Sequence, residues 1–186
     1  MMKRIVLLVT ICLSISLFSC GEKEKKAKTE VTTTDPVMEA PKEESVFKIN
    51  LDIVVPNDDE IEVFYLDYDN QAYSYKTKVT KKVTGDTKSQ NIELLLPKEI
   101  FPTSLRFDFG TKNSTENIVF NTVKMSYEDF ELQLNSQEFL SFFVPNEYVN
   151  YTKETGVIER KMVDGKYDPY FNSKPVFKKK LELEAR

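Results

Sequence analysis

The chain of 186 residues contains no histidine and no tryptophan, only two cysteines and only five glycines. The missing histidine removes the side chain that most often acts as a general base near neutral pH, and with it the usual nitrogen ligand of zinc. Both cysteines, Cys12 and Cys20, lie near the start, so residues 21–186 carry no thiol for catalysis, metal binding or a disulfide framework. Packing must therefore stabilise whatever folds there. The glycines are scattered, which leaves neither a glycine-rich phosphate loop nor a Gly-x-Ser-x-Gly elbow. Cations are in deficit too, 26 against 30 acidic residues for a net charge of −4. Such a balance suits neither nucleic acid nor anionic lipid headgroups, both of which call for a basic patch.

Carboxylates remain as the one catalytic chemistry on offer. Asp58-Asp59-Glu60, Asp67 with Asp69, Asp108, and Asp164 with Asp168 are the candidates for a glycosidase pair. Most fall in predicted turns, where a short acidic side chain ordinarily caps its own backbone. The expectation is a protein that is not an enzyme.

What is present begins with a short positive end, Met1 to Arg4, an apolar segment from Ile5 to Phe18, and then Ser19-Cys20-Gly21. The segment is shorter than the ~20 apolar residues of a spanning helix, and no Ala-x-Ala-type site precedes a mature start. Leu17-Phe18-Ser19-Cys20 resembles a bacterial lipoprotein signal. That resemblance implies cleavage of residues 1–19, acylation of Cys20, export, and a lipid anchor in the bacterial membrane, with the outer membrane as the expected location. Without residues 1–19 the chain has 24 basic and 30 acidic residues, a net charge of −6.

Residues 21–45 read as a charged, flexible linker following Cys20. They hold Glu22, Lys23, Glu24, Lys25, Lys26 and Lys28, a run of threonines, Pro36 and Pro41, and no aromatic residue. So little apolar surface cannot offset the entropy of ordering the chain. As a coil the linker spans on the order of 25 to 30 Å.

From Val46 the composition changes. All nine tyrosines and twelve of the thirteen phenylalanines follow it, and apolar residues recur with the two-residue period of half-buried strands. Phe47, Ile49, Leu51 and Ile53 alternate with Lys48, Asn50 and Asp52. Further strands are predicted at Ile61–Asp67, Tyr73–Val79, Asn91–Leu96, Leu105–Phe109, Glu116–Tyr127 and Phe130–Leu134. A hairpin follows, Tyr148–Tyr151 with Val157–Val163, around Glu154-Thr155-Gly156. Ser136–Phe143 is the single helical turn expected, stopped by Pro145. Gly85, Gly110, Gly156 and Gly165 all fall between apolar runs, where turns are needed. The fold expected is an all-β antiparallel sandwich over residues 46–178, with at most one short helix and a charged tail at 179–186.

The order of features in Asn91 to Tyr127 is an alternating strand, a proline-bounded loop, Leu105-Arg106-Phe107-Asp108-Phe109-Gly110, and a strand with Ile118, Phe120 and Val123. It resembles the later strands of galactose-binding-like, or jelly-roll, sandwiches of Bacteroidota-type envelope proteins. The resemblance implies a glycan ligand.

For binding, Asn50, Asp52, Arg106, Asp108 and Asn121 are read as one outward polar patch across adjacent strands, with Tyr73, Tyr68 or Tyr75 as a stacking ring. Asp67 and Asp69 offer carboxylates at alternate positions for a structural calcium. Ala72 stands where the helix-loop-helix calcium motif requires glycine. The competing function is a structural or assembly subunit that docks on another envelope protein through the aromatic segment Tyr167–Phe171.

Overall fold

The computed structural model describes residues 45–114 and 116–184. The expected signal segment, Cys20 and the linker up to residue 44 lie outside the described residues.

Among the described residues, eleven strands form two antiparallel sheets. The first combines β1 (Lys48–Val54), β4 (Gln90–Leu95), β6 (Ile118–Tyr127), β7 (Phe130–Asn135), β9 (Val149–Thr152) and β10 (Val157–Arg160). Its order is β4-β1-β6-β10-β9, and β7 pairs with the second half of β6 from Thr122 to Tyr127. The second sheet is β3-β2-β5-β11-β8. Its strands are β2 (Asp59–Leu66), β3 (Lys78–Val83), β5 (Ser104–Phe109), β8 (Phe143–Pro145) and β11 (Phe171–Ser173). The pairings nest: β2 runs against β5 in one sheet while β1 runs against β6 in the other. The chain thus comes back along its own path, as a folded-over hairpin does.

The alternation read from the sequence is what makes two layers. Phe47, Ile49, Leu51 and Ile53 face inward from β1, as do Ile61, Val63 and Tyr65 from β2 and Leu105, Phe107 and Phe109 from β5. All are fully or nearly fully buried. A one-residue slip would turn each set outward, so the buried face fixes the register.

Helix α1 (Ser136–Phe142) closes the gap between the sheets. Asn135 begins it with a capping box, its side chain accepting from the Gln137 and Glu138 amides while Glu138 accepts from the Asn135 amide. The helix carries Phe139 into the core. Its ring lies 4.7 Å from Phe120 of the first sheet and 4.5 Å from Phe143 and 5.4 Å from Phe171 of the second. Burying such a ring is worth about 1.5–3 kcal/mol, and aromatic pairs add about 0.5–1.5 kcal/mol more.

Three elements differ from the sequence expectation. The edge strand β3 starts at Lys78 rather than Tyr73, because residues 72–77 form a loop tied by Ser74 N–H to Thr77 Oγ1 (2.9 Å) and Tyr65 N–H to the Thr77 carbonyl (2.9 Å). Phe171 lies in β11, a strand the sequence does not predict, and joins the main core. The charged tail is not a tail up to Glu184. Pro175–Glu184 forms a second helix, α2, with Pro175 opening it and Phe177 and Leu181, four residues apart, buried on the sandwich. Lys178–Glu182 and Lys180–Glu184 pair along the helix at i, i+4 spacing.

Beneath the β5–β10 end lies a buried ion pair. Arg160 Nη1 donates to Asp59 Oδ2 at 2.6 Å, and each side chain is 2% exposed. Asp59 Oδ1 accepts the amides of Glu60, Thr111 and Lys112 at 2.8–3.0 Å. Arg160 also donates to the carbonyls of Phe109 and Glu116. Gly110, at φ +94°, makes room for this pair: a Cβ there would stand 1.8 Å from Arg160 Nη1.

Candidate functional site

The five residues expected to share one polar patch, with Tyr73 as one of the candidate rings, lie on opposite outer faces of the sandwich. Asn50, Asp52 and Asn121 belong to the first sheet, and Arg106 and Asp108, with Tyr73 beside them, to the second. The reading of adjacent strands fails because β5 and β1 are in different layers.

On the first sheet, Asn121 sits where the β1–β6 register shifts between Asp52 and Ile53, a bulge that turns its amide toward β1. Its Nδ2 donates to Asp52 Oδ1 at 3.1 Å and to Ser89 Oγ at 2.9 Å, and the Ser89 hydroxyl also donates to Asp52. Asn50 lies opposite Lys124 and Glu93 in the neighbouring strands.

On the second sheet, Arg106 is clamped rather than open. Its Nε and Nη2 hold Asp108 in a two-pronged bond of 2.7 and 2.6 Å, and Nη2 also reaches Asp168 at 2.8 Å. The guanidinium lies 3.8 Å from the centre of the Tyr170 ring and 5.1 Å from that of Phe64. This places the Asp164–Phe171 segment as a strap over the sheet, fastened by Arg106. Neighbouring Glu62 is paired with Lys78 and Tyr73 shares a hydrogen bond of 2.8 Å with Ser104. Burial pushes the Asp108 carboxyl up to about 6, although the hydrogen bond and charge of Arg106 pull it down. Burial acts against the Arg106 charge as well, but the bond and charge of Asp108 outweigh it and the net direction is up. The groove here is about 230 Å³.

In the Asp67–Asp69 loop, read from the sequence as a calcium candidate, the first carboxylate is taken up by the loop's own amides. Asp67 Oδ1 accepts the Asp69 and Asn70 amides at 2.8 and 2.7 Å, and both its oxygens take the Asn70 side-chain amide at 3.0 Å. Burial raises its pKa, yet these bonds win and hold it below the usual carboxylate value. The carboxylate caps its own turn, and among the described residues no three acidic side chains converge as a cation site.

That turn serves another end. It fixes Tyr68, 72% exposed, at the rim of a cleft of about 630 Å³. The floor is aromatic: Phe101 and Tyr127 meet edge to face at 5.1 Å, and Phe101 meets Phe130 at 6.1 Å. One wall is the β6–β7 turn, Glu128 and Asp129, with Glu128 at φ +50° and bonded by the Ser45 hydroxyl. The opposite wall is the face of α2 carrying Lys178, Leu181, Glu182 and Glu184. The Thr103 amide donating to the Leu66 carbonyl at 2.7 Å ties two sides of the rim together. Ring faces for an apolar ligand surface and carboxylates for its hydroxyl or ammonium groups thus meet in one concavity.

Of these residues, sequence reasoning singled out Tyr68 alone as a ring for stacking. The rest come from three separated segments, 101–103, 127–130 and α2, and most of α2 falls in the expected tail at 179–186. The signal that could have found it is the Phe177–Leu181 spacing after Pro175. Among the described residues no helix is long and apolar enough to cross a membrane. Comparison with known protein families, curated proteins and solved structures finds no match.

Proposed function

We propose that this protein is a membrane-tethered, non-catalytic lipoprotein of the bacterial envelope, anchored through Cys20, whose β-sandwich binds a glycan in the Tyr68–Tyr127–α2 cleft. The observation that carries the reading is the exposed Tyr68 ring above an aromatic floor walled by carboxylates. A sugar presents a face of C–H groups that packs on a ring and a rim of hydroxyls that donate to carboxylates. A cleft of this volume lies within the usual size of small-ligand sites. Arg106, the centre of the sequence expectation, spends its donors on Asp108 and Asp168 and its faces on Tyr170 and Phe64, so it fastens the strap instead of meeting the ligand. Nested strand pairing is in keeping with the jelly-roll resemblance. An assembly subunit docking through the C-terminal aromatics has less ring surface to use, since Phe171 is fully buried and Tyr170 covers Arg106.

The test is a screen of the full chain on a broad glycan array, followed by Tyr68→Ala. Loss of one stacked ring is expected to weaken binding about tenfold with the melting temperature unchanged. A silent array from folded protein, or binding indifferent to Tyr68→Ala, refutes the assignment. For the anchor, Cys20→Ala is expected to leave unprocessed precursor without a labelled acyl chain; normal labelling refutes it.

A further inference from the structure

The charge of the cleft narrows the ligand class, and the inference rests on the glycan reading above. Glu128, Asp129, Glu182 and Glu184 line it with Lys178, and Lys180, just outside the lining, pairs with Glu184, so four carboxylates less two ammoniums leave −2. Lys178 is itself engaged, 3.8 Å from Glu182. A neutral sugar can donate its hydroxyls to the carboxylates but gains nothing from their net charge, and a uronate would be repelled by it. Rings of Tyr68, Phe101 and Tyr127 beside the carboxylates add the quadrupole that attracts an ammonium within about 6 Å.

We infer that the cleft selects glycans bearing free amines, such as glucosamine units without the N-acetyl group. The ammonium sits between the Glu128–Asp129 turn and the Glu182 side of α2, while the sugar face packs on Tyr68. Each exposed ion pair changes affinity by a factor of about 1.4 to 5. Two such pairs give a preference of roughly 2- to 25-fold over the N-acetylated sugar.

The experiment titrates the full chain in detergent, at pH 6 where the amines carry protons, with a glucosamine tetramer, its N-acetylated counterpart, a galacturonate tetramer and spermine. Expected is the affinity order glucosamine, N-acetylglucosamine, galacturonate. The preference should shrink on adding salt and should vanish in Asp129→Asn with Glu182→Gln, a double variant on exposed positions that keeps its melting temperature. Equal affinity for the amine and N-acetyl tetramers, both weakened by Tyr68→Ala, overturns the charge selectivity and leaves the glycan cleft standing. Spermine binding as tightly as the glucosamine tetramer, with Tyr68→Ala without effect on either, overturns the glycan reading and this inference with it. Silence from all four ligands does the same.

Discussion

Replacing Asp59 by alanine tests the energetic reasoning most sharply. The substitution strands the Arg160 guanidinium in a site where both side chains are 2% exposed, and it removes the acceptor of three backbone amides. Breaking a buried pair by removing one partner costs about 3–5 kcal/mol, because the remaining charge has neither water nor a counterion. Against a total stability of about 5–15 kcal/mol this is a large share. At about 3 °C per kcal/mol for a domain of this size, the melting temperature should fall by about 10–15 °C. Urea unfolding followed by circular dichroism gives the free energy directly, and an unchanged m-value shows that the two-state reading holds. The double variant Asp59→Leu with Arg160→Met should recover only the part due to the stranded charge, since the amides of Glu60, Thr111 and Lys112 still lose their acceptor. A loss below about 1 kcal/mol for Asp59→Ala, or a double variant as unstable as the two single losses added, refutes the argument.

Three further outcomes follow from the geometry. Asp108 has its carboxyl raised in the folded state to about 6, so the native state binds the extra proton. Its contribution to stability is full below the ordinary value of 3.8 and is lost as pH rises through about 6, with a slope of at most about 1.4 kcal/mol per pH unit. Asp108→Asn should flatten the stability profile across that window, measured by urea melts at stepped pH. Gly110→Ala combines φ +94° with a Cβ driven against the Arg160–Asp59 pair and should cost about 2 kcal/mol or more, read from the same melts. Asn135→Ala removes the acceptor of the Gln137 and Glu138 amides and should cost about 1 kcal/mol in thermal unfolding.

Strand alternation was legible where one face of the strand is buried, as in β1, β4, β5 and β7. Phe47-Ile49-Leu51-Ile53 and Leu105-Phe107-Phe109 announce both their extended conformation and their inward side. Which layer each strand enters is another matter. Asp52 and Arg106 carry the same outward signature, and only the long-range pairing of β1 with β6 and β2 with β5 sends them to opposite faces. Short elements with mixed surroundings were hidden for a related reason. β8 and β11 are three residues each, too brief for a period to register, and α2 buries only two side chains among lysines and glutamates. The Asp67 turn shows the limit on the chemical side: alternate carboxylates read the same whether they hold a cation or their own amides, and the backbone path decides.

The nested pairing also sets a timetable. β1 leaves synthesis first yet ends in the interior of its sheet, so Lys48 waits for Ser126 to be made before that side is matched. β5 waits longer, until Phe171 and Asn172 of β11 arrive to fill the place between it and β8. Contacts so distant along the chain make folding slow, and the apolar strand faces stay open until β11 is in place. A chain cut short of Phe171 would keep β5 as an unclosed edge beside an incomplete phenylalanine core, the kind of surface that recruits strands from other copies. Strand β11 is therefore the closing step of the sandwich, and its loss should show first as aggregation during refolding.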